Sequence, residues 1–221
     1  MVWEIAHRGD SEKYNDNSQE AFASAIVQKY DMIELDIQIS KDDIIFIHHD
    51  TMIESTILQE LTIREIKTID SNIMTLSEFL SMVNLNQMKI YLDIKGHDDR
   101  ICKTLVNLLK KYNSVNIYIA SFNLQIIESL CSLSEIDYNY GIILENLFSK
   151  DLFMHLISKM KLKFICFHWT MLNHDIVDFL QQNGVKIFTY TCKTQNILHY
   201  MLKYDIDGIV TNYKLNLEAN F

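Results

Sequence analysis

Histidine, arginine and carboxylate side chains occur together early in the chain. His7 and Arg8 follow the first apolar segment, Glu34 and Asp36 lie two residues apart in the second, and His49 comes soon after. Residues two apart in a strand point to the same side, so both carboxylates face one way. Carboxylate oxygens select hard cations such as Mg²⁺ or Ca²⁺, arginine binds paired phosphate oxygens, and histidine titrates near neutral pH. These residue types predict a site that binds a divalent cation and a phosphate and transfers protons.

A third carboxylate and a second cation, Asp93 and Lys95, end a later apolar segment. Asp93 would complete a set of three metal ligands with Glu34 and Asp36, and Lys95 would add a second positive charge for a phosphate. The alternative is that Glu34 and Asp36 form salt bridges with Arg8 and Lys95 and bind no metal. The third carboxylate and the nearby histidines favour the metal, because a divalent cation removes the penalty of burying like charges together.

Two neighbouring histidines, His48 and His49, follow the apolar run Ile45–Ile47. Strand alternation would send them to opposite faces, and spacing alone does not say which one faces the site. Later in the chain, Trp169 follows the sixth predicted strand at the same edge as the other polar groups. We therefore expect Trp169 to contact the substrate.

Short apolar segments alternate with amphipathic ones along the whole chain. The predicted strands are Val2–Ala6, Met32–Ile37, Lys89–Ile94, Val115–Ala120, Asn139–Leu144, Lys163–Phe167, Val185–Tyr190 and Gly208–Thr211. The predicted helices between them are Ser18–Lys29, Thr75–Val83, Asp99–Lys111, Leu124–Cys131, Lys150–Lys159, His174–Gln182 and Thr194–Lys203. This order predicts an α/β fold of the (β/α)8 barrel type, with a doubly wound open sheet as the alternative. In such barrels the active site lies at the carboxyl ends of the strands, where the polar groups above fall.

Length and composition set further bounds. The chain has 221 residues, is 48% hydrophobic, carries a formal net charge of −9 and shows no linker, so we expect a single domain over residues 1–221. No basic stripe is present, which argues against nucleic acid as a partner. No apolar run reaches about 18 residues, so we expect no stable membrane insertion and a cytoplasmic location. The four scattered cysteines suit free thiols in a reducing compartment. No pattern indicates an oligomeric state.

Several motifs resemble, in order and spacing, those of the glycerophosphodiester phosphodiesterases. They run through nearly the whole chain: Ala6-His7-Arg8-Gly9, Asn15-Asp16-Asn17-Ser18, Glu34-Leu35-Asp36, His49-Asp50, Thr75-Leu76-Ser77-Glu78, Leu92-Asp93-Ile94-Lys95, Ser121-Phe122, Tyr190-Thr191 and Asp207-Gly208-Ile209-Val210-Thr211. The resemblance implies a TIM barrel that hydrolyses small or polymeric glycerophosphodiesters to glycerol phosphate and an alcohol, with a divalent metal, Mg²⁺ or Ca²⁺, as cofactor.

The resemblance also implies roles for particular residues. By position, the acid–base pair would be His7 and His49, and the metal ligands would be Glu34, Asp36 and Asp93. The groups expected to bind phosphate or substrate are Arg8, Lys95, Asn17 and Trp169, of which Asn17 matches the asparagine of the family's P-E-N turn.

The chain departs from the family pattern at several places. Asp93 stands where glutamate is usual, Asn15 and Asp16 replace the Pro and Glu of the P-E-N turn, and Asn212 replaces the aspartate that usually follows Thr211. The segment after His49-Asp50 is short, which predicts a reduced cap insertion after strand 2 and an open site suited to a larger or polymeric diester.

Two other functions fit the same residues. One is a lyase in which a hydroxyl of the substrate attacks phosphorus and a cyclic phosphate is released. The other is a barrel that binds a phosphoryl ligand without turnover. The pair of histidines argues against simple binding, because binding does not require two groups that titrate near neutral pH.

Overall fold

Eleven strands appear in the computed structural model, which describes residues 2–112 and 114–215. In chain order they are β1 (Trp3–Ala6), β2 (Met32–Ile39), β3 (Ile45–Ile47), β4 (Met52–Ile53), β5 (Thr56–Ile57), β6 (Lys89–Ile94), β7 (Ile117–Ser121), β8 (Asn139–Leu144), β9 (Phe164–His168), β10 (Lys186–Cys192) and β11 (Gly208–Thr211). Eight of them are parallel and follow the ring order β1, β11, β10, β9, β8, β7, β6, β2, and pairing of β1 with β2 closes the barrel. The predicted (β/α)8 barrel is confirmed, and the open sheet is not what forms.

Eight helices are described, and all but the one over Arg100–Leu109 begin with a side chain that caps the first turn. They are α1 (Gln19–Val27), α2 (Ile63–Ile69), α3 (Leu76–Met82), α4 (Arg100–Leu109), α5 (Leu124–Leu133), α6 (Lys150–Met160), α7 (His174–Gln182) and α8 (Gln195–Met201). The Ser18 side chain accepts a hydrogen bond from the Ala21 N–H at the start of α1, and Thr75 with Glu78 forms a capping box at the start of α3. Such caps satisfy backbone N–H groups that a helix leaves unpaired.

Apolar side chains form two separate layers on either side of the barrel wall. The larger layer packs the helices against the outside of the strands, and a smaller aromatic cluster fills the barrel interior. In that interior, the rings of Phe164 and Phe188 lie 4.8 Å apart. A Cβ atom on Gly141 of β8 would lie only 2.5 Å from the Phe164 ring, so the glycine makes room for the aromatic plug. The plug closes the barrel below the polar mouth.

The segment between β2 and α3 forms the predicted cap insertion. Strand β3 pairs antiparallel with the end of β2, β4 and β5 form a small hairpin, and a short 3-10 helix precedes α2. The sequence of Leu61–Thr68 has a helical pattern, which forms as α2, whereas β3 and the hairpin were not predicted as strands. The insertion reaches the loop after β6, because a Cβ atom on Gly96 would lie 2.5 Å from Nε2 of Gln59. It therefore lies beside the mouth of the barrel.

Among the helices of the described residues, none is long and apolar enough to cross a lipid bilayer. The four cysteines are free. The single-domain organisation over residues 1–221 stays a prediction, and its last six residues lie outside the described part of the chain.

Candidate active site

Three buried carboxylates meet at the carboxyl ends of two adjacent strands. Glu34 and Asp36 belong to β2 and Asp93 to β6, and the parallel register places Asp36 directly beside Asp93. One oxygen of each of the three residues lies within 4.8 Å of the others. The one-methylene-shorter side chain of Asp93 thus still reaches the cluster. Alternation along β2 and the pairing of β2 with β6 together produce this convergence.

Two positively charged side chains form salt bridges with the cluster, chiefly with Asp36. Arg8 Nε lies 2.9 Å from Asp36 Oδ2, and Lys95 Nζ lies 3.0 Å from Asp36 Oδ1 and 2.6 Å from Asp93 Oδ2. The salt bridges considered as an alternative to a metal therefore form for Asp36. Glu34 forms none within the described chain, and one of its oxygens instead accepts the backbone N–H of Arg8 at 2.9 Å.

The protonation of the three carboxylates reflects this uneven pairing. Burial, together with repulsion from the other two carboxylates, raises the pKa of Glu34 well above its usual value. Burial also raises the pKa of Asp93, to about 6, although Lys95 opposes the rise. Burial acts in the same direction on Asp36, but the attraction of Lys95 and Arg8 and a hydrogen bond from Asn17 outweigh it, so that its pKa lies below the usual value. Two of the three carboxylates thus lack enough positive charge around them.

A hard divalent cation fits this donor set. Oδ1 of Asp93 is buried and has no hydrogen-bond partner among the described residues. An unpaired buried carboxylate oxygen is unfavourable, and oxygen donors are what Mg²⁺ and Ca²⁺ prefer. Among the described residues, Arg8 and Lys95 are the lysine and arginine charges that act on the three carboxylates, so ionisation of all three would leave one negative charge for a cation to compensate.

The two predicted histidines line the same cavity as Glu34 and Asp93 but have different partners. His7 Nδ1 lies 2.6 Å from Oδ1 of Asn212, and His49 Nδ1 lies 2.7 Å from Oδ1 of Asp50. Burial, followed by the charge of Arg8, lowers the pKa of His7 to about 4. His7 is therefore neutral at pH 7, whereas His49 is backed by a carboxylate.

The structure decides between the two adjacent histidines. His49 lines the cavity that holds the carboxylates, whereas His48 lines a separate surface groove. Strand β3 ends at Ile47, and the Gln38 amide then donates to the carbonyl oxygens of His48 and Asp50, both at 2.8 Å. This turn, held by β2, aims His49 at the site.

The cavity measures about 220 Å³ and is lined by polar and aromatic side chains. The polar lining includes His7, Arg8, Glu34, His49, Asp93 and Lys95. Phe122 and Tyr190 belong to the aromatic lining, with ring centroids 6.2 Å apart and nearly perpendicular. Glu145 and Lys193 add one charge of each sign. The space suits a small phosphodiester with a polar and an apolar side.

Two predicted substrate-binding residues have other contacts. Asn17 does not line the cavity; its amide donates to Asp36 Oδ2 at 2.9 Å, and its carbonyl oxygen accepts the Asp36 N–H at 3.3 Å. Asn17 thus holds a carboxylate in place. Trp169 also lies outside the cavity lining and packs edge-on against Tyr200 at 5.6 Å. Its predicted substrate contact stays a prediction.

Three residues of the site were missed as functional residues by the sequence reasoning. Asn212 contacts His7, and Glu145 and Lys193 line the cavity. All three immediately or closely follow barrel strands, at the carboxyl ends where active sites of this fold collect. That position is the signal that could have identified them. Asn212 was noted only as a departure from the family pattern.

Comparison with known proteins agrees with this geometry. The model of the glycerophosphoryl diester phosphodiesterase family matches residues 7–214. A glycerophosphodiester phosphodiesterase of Caldanaerobacter subterraneus is 26% identical over 94% of this chain and 93% of its own. YhdW of Bacillus subtilis, named as a putative glycerophosphodiester phosphodiesterase, is also 26% identical, over 95% of this chain and 93% of its own.

Solved structures share the fold. The Thermotoga maritima glycerophosphodiester phosphodiesterase superposes with a TM-score of 0.82 at 24% identity, covering 96% of this chain and 95% of that one. An Oleispira antarctica phosphodiesterase, solved with the product sn-glycerol-3-phosphate, superposes with a TM-score of 0.88 at 18% identity, covering 99% and 96%. With the family model matching almost the full length, the chain belongs to the glycerophosphoryl diester phosphodiesterase family and is a phosphoric diester hydrolase.

Proposed function

We propose that this enzyme hydrolyses glycerophosphodiesters to glycerol phosphate and an alcohol in a metal-dependent reaction with two histidines as acid and base. The observation that carries the proposal is the meeting of three buried carboxylates, with ligand oxygens within 4.8 Å of one another, two of which, Glu34 and Asp93, line one cavity together with His7 and His49. Membership of the family supports the same reaction.

Glu34, Asp36 and Asp93 would hold the cation, which we propose to be Mg²⁺ or Ca²⁺. When bound, such an ion supplies Lewis-acid stabilisation of the negative charge on phosphoryl oxygens. Two observations support this assignment: Oδ1 of Asp93 is buried and has no hydrogen-bond partner among the described residues, and the pKa of Glu34 is raised even though Lys95 and Arg8 attract its charge.

Arg8 and Lys95 would bind the non-bridging phosphate oxygens. Arg8 is oriented by Asp36 at 2.9 Å and by Asp16 at 2.8 Å from Nη1. Attraction to Asp93 and Asp36 raises the pKa of Lys95 despite burial, so its ammonium stays charged at any working pH. Fixed positive groups at the position of developing charge lower the barrier of phosphoryl transfer.

We assign the base to His7 and the acid to His49. His7 is neutral at pH 7 and can accept the proton of an attacking water. The Asp50 carboxylate lies 2.7 Å from Nδ1 of His49, where it can orient the ring so that Nε2–H donates to the leaving alcohol. The two different partners make the pair asymmetric, as an acid–base pair requires.

A diester screen tests the reaction. Glycerophosphocholine, glycerophosphoinositol, glycerophosphoglycerol and a glycerol-phosphate polymer are incubated with Mg²⁺ or Ca²⁺, and products are followed by phosphorus NMR. We expect glycerol phosphate in the presence of metal and none after EDTA treatment. A cyclic phosphate would instead support the lyase, and binding without turnover under either metal would support the ligand-binding barrel.

Histidine variants test the acid–base assignment. We expect His7→Ala to lower kcat strongly for every diester. His49→Ala should lower kcat for choline esters far more than for nitrophenyl esters, because nitrophenolate leaves without a proton. Near-normal turnover of both variants on all diesters would refute the roles of His7 and His49.

Three finer properties belong to the same proposal. The small cap insertion suits a polymeric as well as a small diester, Trp169 would contact the alcohol group of the substrate, and the enzyme would act in the cytoplasm on glycerophosphodiesters derived from lipids. Turnover of the polymer in the screen and the KM of Trp169→Ala check the first two.

A further inference from the structure

The last barrel strand is tied tightly to the loop that carries His7. The His7 N–H donates to the Thr211 carbonyl at 2.9 Å, and the Glu12 N–H donates to the Asn212 carbonyl at 3.0 Å. The Asn212 N–H donates in turn to the carbonyl of Cys192, at the end of β10, at 3.4 Å. Backbone contacts on both sides therefore fix Asn212 directly beside the first catalytic loop.

The side chains of the two residues meet as well. Oδ1 of Asn212 lies 2.6 Å from Nδ1 of His7. An amide oxygen carries no proton, so Nδ1 must donate and Nε2 is left with its lone pair. His7 lines the cavity, and Nε2 is its only ring nitrogen not engaged by this contact.

We infer that Asn212 is a positioning residue that fixes the tautomer of His7, with the proton on Nδ1 and the lone pair of Nε2 available to the cavity. The inference rests on the proposed function only where it concerns catalysis. The tautomer itself is a property of the folded protein.

The amide also differs from the carboxylate that supports the other histidine. Asp50 contacts Nδ1 of His49 with a charged group, whereas an amide can orient a ring without adding negative charge. Burial and the charge of Arg8 lower the pKa of His7, and the hydrogen bond to Asn212 and the charges of Asp36 and Asp16 oppose them without reversing the direction. A neutral partner at position 212 adds no negative charge to this balance, so His7 stays in the form that accepts a proton.

Nitrogen NMR of protein labelled at the histidine ring tests the tautomer. We expect His7 in the wild type to show the Nδ1–H pattern, with the signal assigned by its loss in His7→Gln. In Asn212→Ala the ring loses its acceptor, and we expect the proton to move to Nε2, the form that neutral imidazole favours. In Asn212→Asp an acceptor is kept, so Nδ1–H should persist while the pKa of His7 rises by about 1 to 3 units.

Kinetics with saturating metal test the consequence. We expect Asn212→Ala to lower kcat by about 10- to 100-fold with KM little changed. Asn212→Asp should recover part of kcat, and on acidification its kcat should begin to fall at a higher pH than that of the wild type. Asn196→Ala, which removes an exposed amide on α8, is the matched control and should leave kcat unchanged. Thermal melting confirms that each variant is folded.

The results separate this inference from the proposed function. An Nδ1–H signal that persists in Asn212→Ala, or a kcat within twofold of the wild type, would overturn the positioning role. Absence of wild-type turnover on every diester would instead overturn the proposed reaction, and the tautomer measurement would still decide what Asn212 does.

Discussion

The metal-free enzyme should become less stable as the pH rises, because Asp93 must then carry a charge in a buried site. Burial raises the pKa of Asp93 to about 6, against 3.8 for an ordinary aspartate. Substitution of Asp93 by asparagine keeps the shape of the side chain and removes that titration. The difference in stability between the two proteins should therefore depend on pH.

The sign and size follow from linkage. A carboxylate whose pKa is raised on folding binds its proton more tightly in the native state. Its contribution to stability is complete below pH 3.8 and is lost as the pH rises through about 6. The shift of roughly two pKa units corresponds to about 3 kcal/mol. For a protein of this size that is about 6–12 °C in Tm.

Urea denaturation of EDTA-treated protein at pH values from 4 to 7.5 measures this change. We expect the unfolding free energy of Asp93→Asn, relative to wild type, to rise by about 3 kcal/mol over this range and the rise to shrink when Mg²⁺ or Ca²⁺ is added. Asp178→Asn, which removes an exposed carboxylate of α7, is the matched control. A free-energy difference between Asp93→Asn and wild type that stays constant across the range would refute the assignment of an uncompensated charge to this site.

Three further predictions concern the ligand set, the phosphate group and the barrel interior. Glu34→Gln should weaken Mg²⁺ binding by about 10- to 100-fold in calorimetry, and unchanged affinity would exclude Glu34 as a ligand. Arg8→Lys should raise KM by about tenfold with a smaller change in kcat, since lysine lacks the bidentate fork; equal KM values would contradict a phosphate contact. Gly141→Ala should destabilise the fold by about 1–3 kcal/mol because its Cβ meets the Phe164 ring, and thermal melting should show partial recovery in the double variant with Phe164→Leu.

Local patterns were enough to predict most of the elements. All eight barrel strands form where the apolar segments predicted them, because a strand buried on both faces reads as a continuous apolar run. The fourth begins at Ile117 and not at Val115, since Ser114–Asn116 form a 3-10 helix. Strand β3 and the β4–β5 hairpin were missed because strands this short carry too few residues to show a period.

Local spacing along the strands was also enough to predict part of the site. The spacing of Glu34 and Asp36 fixes their common face, and the position of Asp93 and Lys95 at a strand end places them at the mouth. The sequence could not show which of His48 and His49 faces the site. Side chains alternate between the two faces only as far as the end of β3, and beyond it a hydrogen bond from the Gln38 amide shapes the turn.

The sequence by itself determined the barrel, the residue types of its mouth and the family, because these depend on periodicity and on motifs read along the chain. Only the tertiary structure decided which groups touch. The register of β2 with β6 places Asp36 beside Asp93, and closure of the barrel brings Asn212 to His7 across 205 positions of sequence. Such contacts come from the pairing of distant strands, and no local spacing in the chain encodes them.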